Sequence, residues 1–168
     1  MKGYKSMDNL YNKYQGLDYM YNYMDNNNSI EVINPNYIRD YGKEPLVINI
    51  DDVTKQNGTF RTALWTGDHL QVTVMSIPVG ESIGLETHPN LDQFIKIEEG
   101  VGLVQMGHDR NNLFIRRRVY QGYAIIIPAG KWHNLTNIGN IPIKLYSIYA
   151  PPNHPKGTIH KTKKDAQE

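Results

Sequence analysis

From Thr59 to Tyr149 the chain offers almost nothing but short apolar-alternating segments closed by turn residues. FRTALWT and HLQVTVMSI flank Gly67-Asp68, a two-residue hairpin signal with glycine first. Further strands are expected around Glu86, then over Gln93 to Glu98, Val101 to Met106, Leu113 to Tyr120, Ala124 to Ile127 and Ile143 to Tyr149. Glu99-Gly100, Gly107 to Asn112, Gln121-Gly122 and Gly139-Asn140 separate them. Many short strands at this spacing, with no helix between them, predict an all-β antiparallel sandwich or barrel.

The flanks read differently. Residues 1–28 interleave Tyr4, Tyr11, Tyr14, Tyr19, Tyr21 and Tyr23 with Asn and Met, and no helical apolar spacing persists. They predict a weakly ordered arm that drapes over its own domain or a dimer partner, ahead of a docking segment of spore-coat type. Residues 29–45 predict a short helical lead-in, with Asn34 as N-cap, Pro35 in the first turn and Gly42 as the stop. Leu46 to Ile50 reads as a strand and Asp51 as the cap of a further turn. The barrel is expected over 46–150, and the proline-rich tail 151–168 starts extended and ends as a short helix or frayed end.

At 168 residues the chain suits one domain with an appended arm. Its net charge of +1 favours neither nucleic acid nor an anionic membrane as partner. With no apolar run of membrane length and no signal-like apolar core, a cytoplasmic location is expected. The absence of cysteine excludes disulfides, thiolate ligands and a cysteine nucleophile.

Two stretches, Gly80 to Gly100 and Gly122 to Asn137, carry polar side chains inside this strand pattern. Glu86 and His88, two apart in an extended segment, project from one face. With Gln93 and His133 they form a set of one carboxylate, two imidazoles and one amide that could converge on one divalent metal. Asp92 is a better ligand than Gln93 by charge, but alternation groups Gln93 with Ile95 and Ile97 on the apolar face. Phe94, on the outer face, breaks that pattern. His69, His108, His154 and His160 read as surface or turn residues, His69 having the best chance of lining a pocket. Arg116, Arg117 and Arg118 read as a solvated edge rather than a phosphate grip. Trp132 is a candidate for the pocket mouth. Arg61, Trp65, Gln71 and Met75 lie on a hairpin that could form a wall, with its inward face undetermined.

The two stretches resemble the paired motifs of the cupin superfamily, and the chain is similar to small cupins of the mannose-6-phosphate isomerase-like kind. Gly122, Pro128, Gly130, His133 and Asn137 fit the second motif at each fixed position. In the first, Gly80, Glu86, His88, Gln93 and Gly100 keep the spacing, but Glu86 stands where the family has His and Gln93 where it has Glu. The site still contains one carboxylate, so a divalent ion would leave the same net charge. The resemblance implies a double-stranded β-helix, or jelly-roll barrel, over about residues 45–150. It also implies one divalent transition metal (Zn, Fe, Mn or Ni) and a small-molecule substrate, commonly in a homodimer. Glu86, His88 and His133 alone make a two-His-one-carboxylate set suited to Fe(II) or Zn. The leading expectation is a metal-dependent enzyme acting on a small polar molecule, with isomerisation of a sugar or sugar phosphate slightly ahead. Its alternatives are an Fe(II) dioxygenase and a non-catalytic binding or assembly protein. No general base is legible.

Overall fold

The structure, a computed structural model, describes the backbone of residues 21–24 and 30–33 and all of 38–166. It falls into two units, divided between Asn34 and Pro35. In the first, β1 (Tyr21–Met24) and β2 (Ile30–Ile33) pair antiparallel, Tyr21 opposite Ile33 and Met24 opposite Ile30. The rest of the arm expected over residues 1–28 lies outside the described residues.

The second unit is built on two antiparallel sheets. Its strands are β3 (Arg61–Thr66), β4 (Gln71–Ile77), β5 (Asp92–Glu99), β6 (Val101–Gly107), β7 (Ile115–Tyr120), β8 (Ala124–Ile127), β9 (Trp132–Asn137), β10 (Ile143–Ala150) and β11 (Ile159–His160). The larger sheet runs β11-β3-β4-β10-β5-β8 and the smaller β7-β6-β9. Single bridges from Ser82 to Thr136 and from Glu86 to His133 add the 82–86 segment alongside β9. The all-β antiparallel arrangement expected from the strand pattern is what forms, and it takes the jelly-roll form that the resemblance implied.

Register makes the barrel interior change character from end to end. Along the inner face of β10, Ile143 lies opposite Ile77, Leu145 opposite Met75 and Ile97, Ser147 opposite Thr73 and Ile95, and Tyr149 opposite Gln71 and Gln93. The first half of that face is apolar and joins Val104, Val119, Ile125, Ile127 and Leu135 in the main core. The second half is polar, yet Ser147, Gln93 and Tyr149 are as buried as the core. One end of the barrel interior is therefore packed hydrocarbon, and the other is a polar chamber wall of buried hydrogen-bonding groups.

A second apolar cluster covers the outer face of the large sheet, where Val53, Leu64 and Val74 meet Ile38, Tyr41, Ile48, Ile50, Val72 and Tyr146. Its cover is α1 (Ile50–Gln56), whose N-cap is Asn49 with Asp51 and Asp52 in the first turn. This corrects two expectations. Leu46 to Ile50 forms no strand, because its alternating Ile48 and Ile50 are used to cover the sheet rather than to pair with it. Asn49, not Asp51, is the cap. The helix expected near Asn36 to Tyr41 is also absent over its described residues 38–41; instead the Tyr41 amide donates to the Leu64 carbonyl at 2.8 Å. Phe94 is accounted for by the same outer layer, stacking at 6.3 Å on Tyr146.

Three polar side chains set the remaining connections. Asn137 donates to the Ile77 and Ile141 carbonyls (2.9 and 2.8 Å) and accepts from the Gly139 amide (2.9 Å), so its place in the second motif is structural. Asp92, exposed, accepts from the Ala129 amide at 2.8 Å and steadies the Pro-Ala-Gly turn. Gln71 holds the C-terminal tail, donating to the His154 carbonyl (2.8 Å) and accepting from the His154 amide (2.9 Å). The tail thus folds back to pair β11 with β3, His160 opposite Arg61, and ends in a 3-10 turn at Lys164–Ala166.

Candidate metal centre and polar chamber

His133 sits on the inner face of β9, only 1 % exposed, and its backbone exchanges hydrogen bonds with Glu86 at 2.9 and 3.0 Å. That exchange places the Glu86 side chain beside the imidazole. His88, two residues on, accepts from the Gly130 amide through its carbonyl (2.8 Å), which brings the first motif against the turn of the second. Gly130 occupies that turn with φ +77°, a conformation that side-chain-bearing residues adopt at a cost.

Three of the four expected ligands come together. Glu86 Oε1 lies 3.5 Å from His88 Nε2 and 3.4 Å from His133 Nε2. The ligand atoms of this trio all fall within 4.8 Å of one another. His133 Nδ1 donates to the Lys131 carbonyl at 3.0 Å, which leaves Nε2 with its lone pair turned to the site. Both Nε2 atoms are buried with no hydrogen-bond partner. Gln93 is on the same interior; its Nε2 donates to Ser147 Oγ at 2.9 Å and its Oε1 is buried and unpartnered.

These orphaned acceptors test whether the residues suit a metal. A tetrahedral ion about 2.1 Å from each ligand separates neighbouring ligands by about 3.4 Å. The Glu86–His88 and Glu86–His133 spacings match that value. Two imidazoles and a carboxylate are a donor set that suits zinc or Fe(II). Electrostatics agree. Burial raises the Glu86 pKa, but the two imidazoles beside it, at 3.4 and 3.5 Å, outweigh burial and bring the carboxyl down to about 2. Glu86 is an anion at any physiological pH.

The chamber continues past the trio. The Tyr149 ring meets His88 edge-on at 5.9 Å and His154 edge-on at 5.2 Å, and His154 faces His160 at 6.2 Å. Burial raises the Tyr149 hydroxyl pKa, keeping it protonated. Burial, then the charge of Arg61 and of His160, depresses His154 to about 4, so its imidazole is neutral at pH 7. Arg61 is 5 % exposed, its Nε lacks a partner, and among the described residues no carboxylate pairs with it.

His154, in a bend, and His160 are half-buried and turned toward Tyr149 and Arg61, whereas His69 is exposed in the β3–β4 turn. Trp65 points to the outer layer, where its indole donates to the Glu44 carbonyl at 2.8 Å. Trp132 lies on the opposite face of β9 from His133, under the Arg110 guanidinium at 5.5 Å. The three consecutive arginines lie on β7, the exposed edge of the small sheet, as expected. Tyr149 and Arg61 were discoverable from strand alternation once an inward residue was fixed. His154 and His160 carried no local signal, because only the fold-back of the tail brings them here.

A family model described as Cupin domain matches residues 73–149. The uncharacterized protein YrkC of Bacillus subtilis (strain 168) is 62 % identical over 129 residues, which span 77 % of this chain and 69 % of YrkC. The uncharacterized protein L612 of Acanthamoeba polyphaga mimivirus is 37 % identical over 114 residues, 67 % of this chain and 69 % of that one. The crystal structure of BH2720 from Bacillus halodurans superposes with a TM-score of 0.77 at 64 % identity, covering 77 % of this chain and 98 % of that one. A Klebsiella pneumoniae protein with a double-stranded beta-helix domain shares the fold at 22 % identity and TM-score 0.51, over 62 % and 82 % of the two chains. The chain belongs to the cupin family.

Proposed function

We propose that this cupin is a metal-dependent enzyme in which Glu86, His88 and His133 hold one divalent transition metal, with Gln93 Oε1 as a fourth donor. The observation that carries the reading is the pair of buried, unpartnered imidazole Nε2 atoms flanking Glu86 at ligand spacing. The substrate is a small polar molecule, and sugar or sugar-phosphate isomerisation is the reaction favoured. A bound ion would supply Lewis-acid polarisation of a substrate carbonyl. The chain would supply the rest. His154, neutral at pH 7 and fixed by Gln71 through its backbone, would take a proton from a carbon next to that carbonyl and return it one carbon along, its Nε2 giving up the hydrogen bond it accepts from the Asn153 side-chain amide at 3.2 Å. Tyr149 keeps the ring of His154 in place and closes the wall between it and His88.

Elemental analysis of protein purified without added metal tests the centre. A near-stoichiometric ion in the wild type, lost from Glu86→Ala and His133→Ala, is the expected result; retention by both variants would remove the centre. Proton transfer is tested by incubating candidate aldose and ketose phosphates in D2O and following carbon-bound deuterium by NMR. His154→Gln should abolish exchange while keeping the metal. The two-His-one-carboxylate donor set also suits an Fe(II) dioxygenase. Oxygen uptake by anaerobically iron-loaded protein, without deuterium exchange, would select that reading. A homodimer and a cytoplasmic location belong to the same proposal, checked by sedimentation equilibrium and cell fractionation.

A further inference from the structure

We infer that the substrate is a small organic anion whose carboxylate or phosphate is received by Arg61, with His160 beside it, across the chamber from the Glu86 trio. The inference rests on reading the chamber as a substrate site, and it names the class of molecule that site takes. Arg61 is the first residue of β3, on the face that carries Ala63 and Thr73 inward, and register sets His160 directly opposite it on β11. Its side chain is 5 % exposed and its Nε is unpartnered, as is the buried Nδ1 of His160. The Phe60 ring lies 5.6 Å from the guanidinium, a contact that offsets only part of the cost of burying a charge. The trio's carboxylate, Glu86, is engaged with His88 and His133. A permanent cation with free donors in an interior lined by Ser147, Gln93 and Tyr149 is complementary to an oxyanion, which a guanidinium fork binds through two hydrogen bonds.

The inward polar position is built rather than incidental. Gln71 and β11 lay the tail over this end of the barrel, and the tail brings both His154 and His160 to Arg61.

Isothermal titration of the full chain with inorganic phosphate and, separately, with glycolate, at fixed ionic strength, tests the inference. It is run on chelator-treated and on metal-loaded protein. Chelated wild type should bind at least one of the two anions, and Arg61→Met should weaken that binding tenfold or more. Arg61→Lys, which keeps the charge but not the fork, should fall between them and stands in should Arg61→Met not fold. Without anion, Arg61→Met should melt no lower than wild type, because it removes an unpaired buried charge. Phosphate binding alone assigns a phosphate ester, and glycolate binding alone a carboxylic acid. Failure of wild type to bind either anion, or binding unchanged in Arg61→Met, would overturn the inference. A lowered melting temperature with unchanged titration would assign Arg61 to structure alone. Glu86→Ala separates this inference from the metal reading: loss of the centre leaves Arg61-dependent anion binding in place, and an intact centre without anion binding defeats only Arg61.

Discussion

Among single residues, Asp40 shows how much one side chain can connect. Its Oδ2 accepts from Thr66 Oγ1 and from the Gly157 amide, and its Oδ1 accepts from the Gly42 amide. It therefore ties the lead-in, the end of β3 and the tail together. Burial raises its pKa, but the bonds from Thr66, Gly157 and Gly42 outweigh burial and hold it below 3.8. A depressed carboxylate contributes stability that is present above the unfolded value and lost as pH falls through the folded one. Asp40→Asn should thus cost about 1–2 kcal/mol at pH 7, at the low end because the site is partly solvated. The gap between the two proteins should close below pH 3.8, as urea unfolding followed across pH will read. A constant gap from pH 7 to pH 3 would show that the charge does not matter. The same scale decides what was legible in the site. Glu86, His88 and His133 could be placed because each sits at a fixed offset from a turn within its own motif. Arg61, His154 and His160 could not, since their meeting depends on a tail pairing some hundred residues away along the chain (His160 opposite Arg61).

Elements were readable where alternation met turn chemistry, and misread where alternation served another purpose. The hairpin of β3 and β4 and the strands β5 to β8 and β10 follow the expected segments, whereas the strand expected around Glu86 forms only single bridges to β9. Ile48 and Ile50 alternate like a strand but pack as a cover, and nothing in their spacing distinguishes the two uses. Turn glycines divide along similar lines. Gly100 has φ +86°, and a Cβ there would meet the Pro142 carbonyl oxygen at 2.8 Å and Ile143 Cα at 2.9 Å. Gly122 has φ +92° with open space around it. Left-handed backbone alone costs a non-glycine residue about 1–2 kcal/mol. Gly122→Ala should lose that much, and Gly100→Ala about 2–4 kcal/mol, because β10 must also move. Urea midpoints for the two variants measure the difference. Equal losses would mean that the β5–β6 turn yields without disturbing β10.

At the scale of the whole barrel, the tail closes over the polar end of the interior by pairing with β3 and bonding Gln71. Its hold depends on Gln71, fully buried at the start of β4. Gln71 Nε2 donates to Thr66 Oγ1 (2.9 Å) and to the His154 carbonyl, and its Oε1 accepts from the amides of Asn153 (3.3 Å) and His154. Leucine has nearly the same volume and none of these groups, so Gln71→Leu keeps the packing and strands the tail's backbone. Each lost bond is worth about 1 kcal/mol net, which puts the global loss at about 2–4 kcal/mol. The local effect should be larger than the global one. Amides of residues 153–160 should exchange with deuterium at least tenfold faster, whereas β10, paired on both sides by β4 and β5, should keep its protection. With the tail released, His154 and His160 leave the chamber and Arg61 meets water. The metal trio, held by the Glu86–His133 backbone pairing on the other sheet, should keep its ion. Hydrogen exchange and elemental analysis on the same variant therefore read the two halves of the chamber separately. Loss of the ion together with tail protection would mean that the two walls form one cooperative unit, and that the chamber cannot be opened from one side.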